Sequence, residues 1–587
     1  MLWTVIRRHI RPYLPHVAAV IVLQLATVLA TLYLPSLNAD IIDNGVATGD
    51  TDYIWRVGGL MLIVAMVQVI TAVTSVWFGA RVAMGLGRDI RRSLYTRVDR
   101  FSTEEMGRFG APTLITRGTN DVQQVQMLAL MTLNFMVMVP IMSIGGIVMA
   151  IQEDPGLSWL VWVSVPVLMV IVGLLVTKLM PLFQRMQDNI DSINGVMREQ
   201  IMGIRVVRAF VREKHETARF EDANATLTDT SVRIGRLFVI MGPAITVVLH
   251  LATAAVLWFG GHRVDAGLVQ VGSLTAFMQY LLQILMAVMM GTFMFMMFPR
   301  AIISARRIGE VLETTPTLVE ATDPVALDQV GGGAAVEFRD VSFAYPGADA
   351  PVLDGISFTA DAGRTTAIIG STGSGKTSLI SLIPRLHDAT RGQVLLDGVP
   401  VTDLARATIS DVVGLVPQKP YLFSGTIAHN LRFGDPSADD AQLWEALDIA
   451  QATEFVVDRT TGEDEAAATG LESAVSQGGT NVSGGQRQRL CIARTLVARP
   501  RVFVFDDSFS ALDVATDAAV RAGLDAHTQG ATMIIVAQRI SSITGADQII
   551  VLEEGRVVGR GTHEELLASN QTYREIVDSQ TTVEELA

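Results

Sequence analysis

The chain has 587 residues, is 50% hydrophobic, carries a formal net charge of −14 and has a mean hydropathy of +0.39. The hydropathy excludes an ordinary soluble multidomain protein, and the acidic balance argues against a nucleic-acid binder. A single cysteine, Cys491, excludes a disulfide framework or a cysteine zinc site within the chain.

Residues 1–16, MLWTVIRRHIRPYLPH, are too polar for a signal-peptide core and predict an amphipathic helix lying at a membrane surface against its lipids. Six apolar runs follow, near 17–37, 57–80, 128–151, 157–180, 237–260 and 273–298, each long enough to cross a hydrocarbon core. They predict a six-helix all-α transmembrane domain over residues 17–313.

The connections alternate between short and long. Residues 38–55 carry Asp40, Asp43, Asp50 and Asp52 and no Lys or Arg, whereas 81–120 carry Arg81, Arg88, Arg91, Arg92, Arg97, Arg100, Arg108 and Arg117. The stretch 178–236 is also basic, from Lys178 to Arg236. Positive loops stay cytoplasmic, which places both long loops and both termini inside a bacterial plasma membrane. Each long loop mixes apolar and charged residues at helical spacing, so the spans should continue as helices beyond the bilayer.

Polar groups within the spans are few: Gln68, Asn134, His250, Gln279 and Gln283. The sixth run is rich in methionine, at Met278, Met286, Met289, Met290, Met294, Met296 and Met297. Flexible Met side chains suit either plain helix packing or a surface that accepts varied apolar ligands. No line of carboxylates crosses the membrane, so coupling to protons or sodium has no support, and the energy source should lie elsewhere.

Residues 314–334, TTPTLVEATDPVALDQVGGGA, read as a linker, and 335–587 as a separate α/β domain in which apolar strands alternate with helices. Within it, Gly370, Ser371, Thr372, Gly373, Ser374, Gly375, Lys376, Thr377 and Ser378 follow the strand TTAII and open a helix. That is the phosphate-binding P-loop, whose backbone N–H groups and helix N-terminus cradle phosphates. Lys376 should reach the β and γ phosphates and Thr377 should ligate Mg2+. The strand Val502 to Asp506 ends in a carboxylate suited to the same cation. Ser483, Gly484, Gly485 and Gln486 open another helix with the same anion-binding chemistry, implying a second nucleotide shared with another copy of the domain.

These motifs together resemble an ABC transporter of the exporter type over essentially the whole chain: a membrane domain fused to one α/β ATP-binding cassette, half a transporter per chain. The resemblance implies that Tyr345 stacks on adenine and that Gln418, in VPQKPYLFSGTI, is the Q-loop glutamine near Mg2+. It makes VSGGQ the signature offered to the partner's site and Asp513 the end of the D-loop SALD. It also implies coupling helices near Phe109–Asp121 and Arg205–Lys214, the first touching its own cassette and the second the partner's.

Two positions depart from the family pattern. Asp507 stands where a catalytic Glu is usual, and Gln538, in Val536-Ala537-Gln538-Arg539, stands where a switch His is usual. The expectation is an ATPase whose own P-loop site binds ATP with Mg2+ but hydrolyses weakly, and which lends an intact signature to a partner half-transporter bearing Glu and His. Such a heterodimer, resembling actinobacterial multidrug or lipid exporters, would export a hydrophobic or amphipathic molecule. Lipid flipping, import through an exporter-like fold and an ATP-gated regulatory membrane subunit are the alternatives.

Overall fold

The computed structural model describes residues 1–295, 297–327, 332–458, 470–528 and 530–584; Met296 and linker residues 328–331 lie outside them. The chain forms two compact units, Met1–Asp99 with Ala111–Thr314, and Arg100–Gly110 with Thr315–Ala587.

The first unit is helical. A short amphipathic α1 (Leu2–Ile10) precedes α2 (Leu14–Asp40) and α3 (Thr51–Val98). After α4 (Thr103–Phe109), which belongs to the second unit, come α5 (Ala111–Glu153), α6 (Trp159–Met202), the single turn and a half of α7 (Ile204–Ala209), and α8 (Glu213–Asp265). The unit closes with α9 (Val271–Phe295) and α10 (Phe298–Glu313). Among the described residues, six helices are long and apolar enough to cross a membrane. At 48, 44 and 53 residues, α3, α6 and α8 far exceed the roughly 20 a bilayer requires, as the mixed composition of their charged extensions predicts.

Side chains that satisfy polar groups inside the bundle fix its packing. The Tyr280 ring is fully buried and its hydroxyl donates to the Leu32 carbonyl at 2.7 Å. Arg263 on α8 grips the buried Asp154 carboxylate through two bonds of 2.7 and 2.9 Å, a paired geometry that offsets the desolvation of both charges. The Asp43 carboxylate accepts the free N–H groups of Gly272 and Ser273 at the start of α9. Of the predicted intramembrane polar residues, Gln68 donates to Thr31 at 2.9 Å and Asn134 to the Leu130 carbonyl at 2.9 Å. Asn134 lies in a wide π-type turn of α5, and His250 and Gln279 are exposed on this chain.

The second unit carries two principal sheets. Strands β1 (Val336–Phe343), β2 (Leu353–Ala360), β4 (Arg391–Leu396) and β5 (Val399–Pro400) form an antiparallel sheet in the order β2-β1-β4-β5. The central sheet runs β12-β11-β3-β10-β9-β6, from β3 (Thr365–Gly370), β6 (Val413–Val416), β9 (Val502–Asp506), β10 (Thr532–Val536), β11 (Gln548–Glu553) and β12 (Arg556–Gly561). A small pair, β7 (Gly425–Thr426) and β8 (Ala474–Val475), lies apart from both. Every residue of β9 and β10 is buried, as expected of parallel strands covered on both faces.

Segment 100–110 joins this second unit through α4. Ser102 caps the helix, and its side chain and backbone N–H both donate to Glu105 at 2.7 Å. The buried Glu105 also accepts from the Thr317 backbone at 2.9 Å, while Thr103 donates to the Leu386 carbonyl at 3.1 Å. Segment 100–110 belongs to the second unit and overlaps the expected coupling segment Phe109–Asp121 only at Phe109 and Gly110; Ala111–Thr116 is the start of α5 in the first unit. The Ser102-to-Glu105 capping box opens α4, and Gly110 at φ +73° ends it before α5 begins at Ala111.

Candidate nucleotide site

The parallel strands align their C-terminal ends, and each delivers a different part of the site. Val536 of β10 pairs with Asp506 of β9 and with Ile368 of β3, while Val416 of β6 pairs with Phe505. Hence the loop 370–377, Gln418, Asp506 with Asp507, and Gln538 all leave the sheet at one edge, where open parallel sheets bind ligands.

The loop after β3 needs its glycines. A Cβ on Gly370 would lie 2.0 Å from the Leu552 carbonyl oxygen, and Gly375 adopts φ +97° where the chain turns into α11 (Lys376–Ser381). Lys376 folds back so that Nζ donates to the carbonyls of Gly370 and Ser371, both at 2.8 Å. Burial lowers the pKa of this ammonium, opposed by Asp507 and Asp506. Thr377 Oγ1 donates to Asp506 Oδ1 at 3.1 Å. Burial raises the Asp506 pKa, the Thr377 bond and Lys376 lower it, and the Asp507 charge adds to the rise.

Asp507 is buried and sits at φ +49°, a left-handed conformation that Asp tolerates better than most residues. Its backbone N–H donates to the Val536 carbonyl at 3.0 Å. Its carboxylate Oδ2 accepts from Gln538 Nε2 at 2.7 Å and from Gln418 Nε2 at 3.3 Å. The three residues named from sequence as catalytic thus meet on one oxygen atom. Ser508, fully buried beside them, donates to the Val416 carbonyl at 2.9 Å and ties β6 to the β9 exit; no motif pointed to it.

Tyr345 is 41% exposed, packs edge-on against Phe343 and His387, and exchanges a hydrogen bond of 3.0 Å with Ser378 of α11. His387 in turn lies 3.0 Å from Thr103 Oγ1 of α4. The aromatic face flanking the phosphate loop is thus continuous with the 100–110 segment, a link no motif foretold.

Beyond α12 (Asp440–Ile449), Ser483 caps α13 (Gly484–Val497) in a reciprocal box with Gln486: Gln486 N donates to Ser483 Oγ at 3.2 Å and Ser483 N to Gln486 Oε1 at 3.0 Å. Ser483 and Gly484 are exposed, and a Cβ on Gly484 would meet nothing within 4 Å. Asp513 caps α14 (Val514–His527) by accepting from Thr516 N at 3.0 Å and Thr516 Oγ1 at 2.7 Å, bonds that lower its pKa.

Among the described residues there is no cluster of three or more His, Cys, Asp or Glu that could hold a metal alone. A magnesium site needs none here. Mg2+ keeps several waters and takes one or two protein oxygens plus phosphates, and the Thr377 hydroxyl beside the Asp506 carboxylate supplies that donor set.

The family profile described as ABC transporter transmembrane region matches residues 17–288, and that described as ABC transporter matches 353–510. An uncharacterized ABC transporter ATP-binding protein of Mycobacterium tuberculosis is 49% identical over 584 residues, covering 99% of this chain and 98% of its own. The chain belongs to the ABC transporter family. It is an exporter-type half-transporter, a multi-pass membrane protein with a fused ATP-binding domain, and such halves generally work as dimers. A multidrug efflux ATP-binding/permease protein of Mycobacterium bovis is 32% identical over 94% of this chain, which spans only 45% of that relative. The fold matches a bacterial Atm1-family ABC exporter with ATP bound at a TM-score of 0.78 and 23% identity, covering 97% of this chain and 99% of the other.

Proposed function

We propose that this chain is the degenerate-site half of a heterodimeric ABC exporter, holding ATP with Mg2+ at its own P-loop while lending its signature to a partner that hydrolyses. The observation that carries this reading is the Asp507 carboxylate bonded at once by Gln538 and Gln418. Aspartate is one methylene shorter than glutamate, which draws the carboxylate back by about 1.5 Å. A displacement near 1 Å at a water-positioning group costs on the order of 100-fold in rate. Gln538 can hydrogen-bond a γ-phosphate but cannot carry the positive charge of a histidinium.

The remaining parts suit tight binding. Lys376 exchanges the Gly370 and Ser371 carbonyls for phosphate oxygens, Tyr345 offers its ring to adenine, and Thr377 with Asp506 holds the cation, with Gln418 at its margin. Mg2+ supplies charge neutralisation between the phosphates when bound. The signature helix start, Ser483 to Gln486, with Ser483 and Gly484 exposed, is left for a nucleotide bound on the partner.

Around α7, Val206, Phe210 and Val211 are 60%, 72% and 79% exposed, an apolar tip suited to the partner's cassette. The substrate class we favour is hydrophobic or amphipathic, supported by the multidrug name of the M. bovis relative and by Met286 and Met290, exposed on α9. The basic loops support a topology with the cassette and both termini in the cytoplasm.

The test is phosphate release by the purified chain alone and by the chain co-expressed with its genomic neighbour. Tight ATP binding with negligible turnover alone, and turnover in the pair that needs the neighbour's Glu, is the expected result. Brisk turnover by the lone chain with two equivalent sites overturns the degenerate-site reading.

A further inference from the structure

The loop that carries Gln538 is held from the far end of the chain. The last described helix, α15 (Gln571–Glu584), is anchored by Tyr573, fully buried and hydrogen-bonded to His563 at 2.7 Å. Two helical turns further on, Gln580 spreads its side-chain amide across the loop: Nε2 donates to the Gln538 carbonyl at 2.6 Å, and Oε1 accepts from the Ile540 N–H at 2.8 Å. The loop's other flank is tied to α14, where Arg521 donates to the Ser541 carbonyl at 3.3 Å and Ser542 to Asp517 at 3.4 Å.

A side-chain amide that pairs with a carbonyl and an N–H two residues apart satisfies both backbone groups and fixes the peptide planes between them. Those planes aim Gln538, whose other end bonds Asp507 at 2.7 Å. We infer that Gln580 is a positioning residue for the nucleotide site, a C-terminal latch that sets how well Gln538 meets a γ-phosphate. Gln580 itself touches neither Asp507 nor the P-loop; it acts through the Gln538 backbone.

The inference rests on the reading of Gln538 as a γ-phosphate contact, and it makes a prediction that poor hydrolysis does not. ADP lacks the group that Gln538 would meet. Loosening the latch should therefore weaken a triphosphate and spare a diphosphate.

The experiment uses the full-length purified chain in nanodiscs and compares its affinities for Mg-AMP-PNP and Mg-ADP in wild type, Q580A, Q580E and Q571A. Gln571 bonds Glu575 on the exposed side of the same helix, so Q571A controls for general loosening of α15. The expected result for Q580A is a preference for the triphosphate reduced about fivefold, the worth of one ordinary hydrogen bond, at unchanged ADP affinity. Q580E keeps the acceptor for Ile540 and loses the donor to Gln538, so it should fall between, with Q571A at wild type. Faster hydrogen exchange of the Ile540 amide in Q580A, at an unchanged exchange pattern in β10, would accompany the change.

Equal loss of both nucleotides, or an unchanged preference with unchanged exchange, overturns the latch. Because binding is read and not turnover, a hydrolytically active lone chain would remove the degenerate-site reading while leaving this result to stand or fall by itself.

Discussion

Gln538 donates its side-chain amide to the Asp507 carboxylate at 2.7 Å, so the two residues on which the degenerate-site proposal rests are bonded to each other. A single departure could be neutral drift of one side chain. Here the donor and acceptor fit one another, and a carboxylate engaged by an amide is less available to orient water.

Restoring the family residues should therefore restore hydrolysis only in combination. The D507E/Q538H double variant of the lone chain is expected to release phosphate about 100-fold faster than wild type, and each single variant much less. Steady-state phosphate release measures this; a double variant as slow as wild type removes the chemical explanation.

Glu105 fixes the 100–110 segment to the second unit. Burial opposes its charge, but bonds from the Ser102 hydroxyl, the Ser102 N–H and the Thr317 N–H outweigh that and lower its pKa below the ordinary carboxylate value. A lowered folded-state pKa contributes stability that is present above the unfolded value, about 4.3, and is lost as pH falls through the folded value. E105A strands buried donors and should cost about 2–4 kcal/mol with that acid dependence removed. Denaturant unfolding at several pH values reads both.

His387 loses stability on the same acid side, in a higher pH window and with the neutral form favoured. Burial lowers its pKa, against the charges of Glu104 and Asp388, so the folded state keeps the ring neutral where an unfolded chain would protonate it. The unfolded state then binds more protons, and stability falls as pH drops from about 6.5 toward the folded value. H387Q keeps a polar partner for Thr103 and should flatten this slope. A thermal-melting series from about pH 5 to 8 would show it, and equal slopes in the two proteins would count against it.

Asp513, read from the resemblance as the D-loop end, caps α14. D513A removes the cap from the Thr516 N–H at the start of α14 and should lower the melting temperature of the cassette. D513N, which still accepts a bond, should recover most of it; a melting comparison of the two variants decides.

The sequence alone determined the elements that obey local rules. Six apolar runs had to become helices because each spans a bilayer and must satisfy its own backbone. The P-loop was legible because glycine and lysine at this spacing serve a tight phosphate-binding turn; in the fold Gly370 also makes room for the Leu552 carbonyl and Gly375 adopts φ +97°. What pattern reading missed was the start of that segment, where Ser102 and Glu105 cap α4 and Glu105 accepts from the distant Thr317.

Only the tertiary structure decided which distant residues share an atom. Gln418, Asp507 and Gln538 are up to 120 positions apart, and their meeting on one carboxylate oxygen follows from the register of β6, β9 and β10. The His387 bridge to Thr103 and the Gln580 grip on Gln538 are likewise contacts between ordinary polar residues with no motif around them. Local composition encodes helices, strands and phosphate loops because their physics is local; a hydrogen bond across the fold is set by packing, which no window of sequence contains.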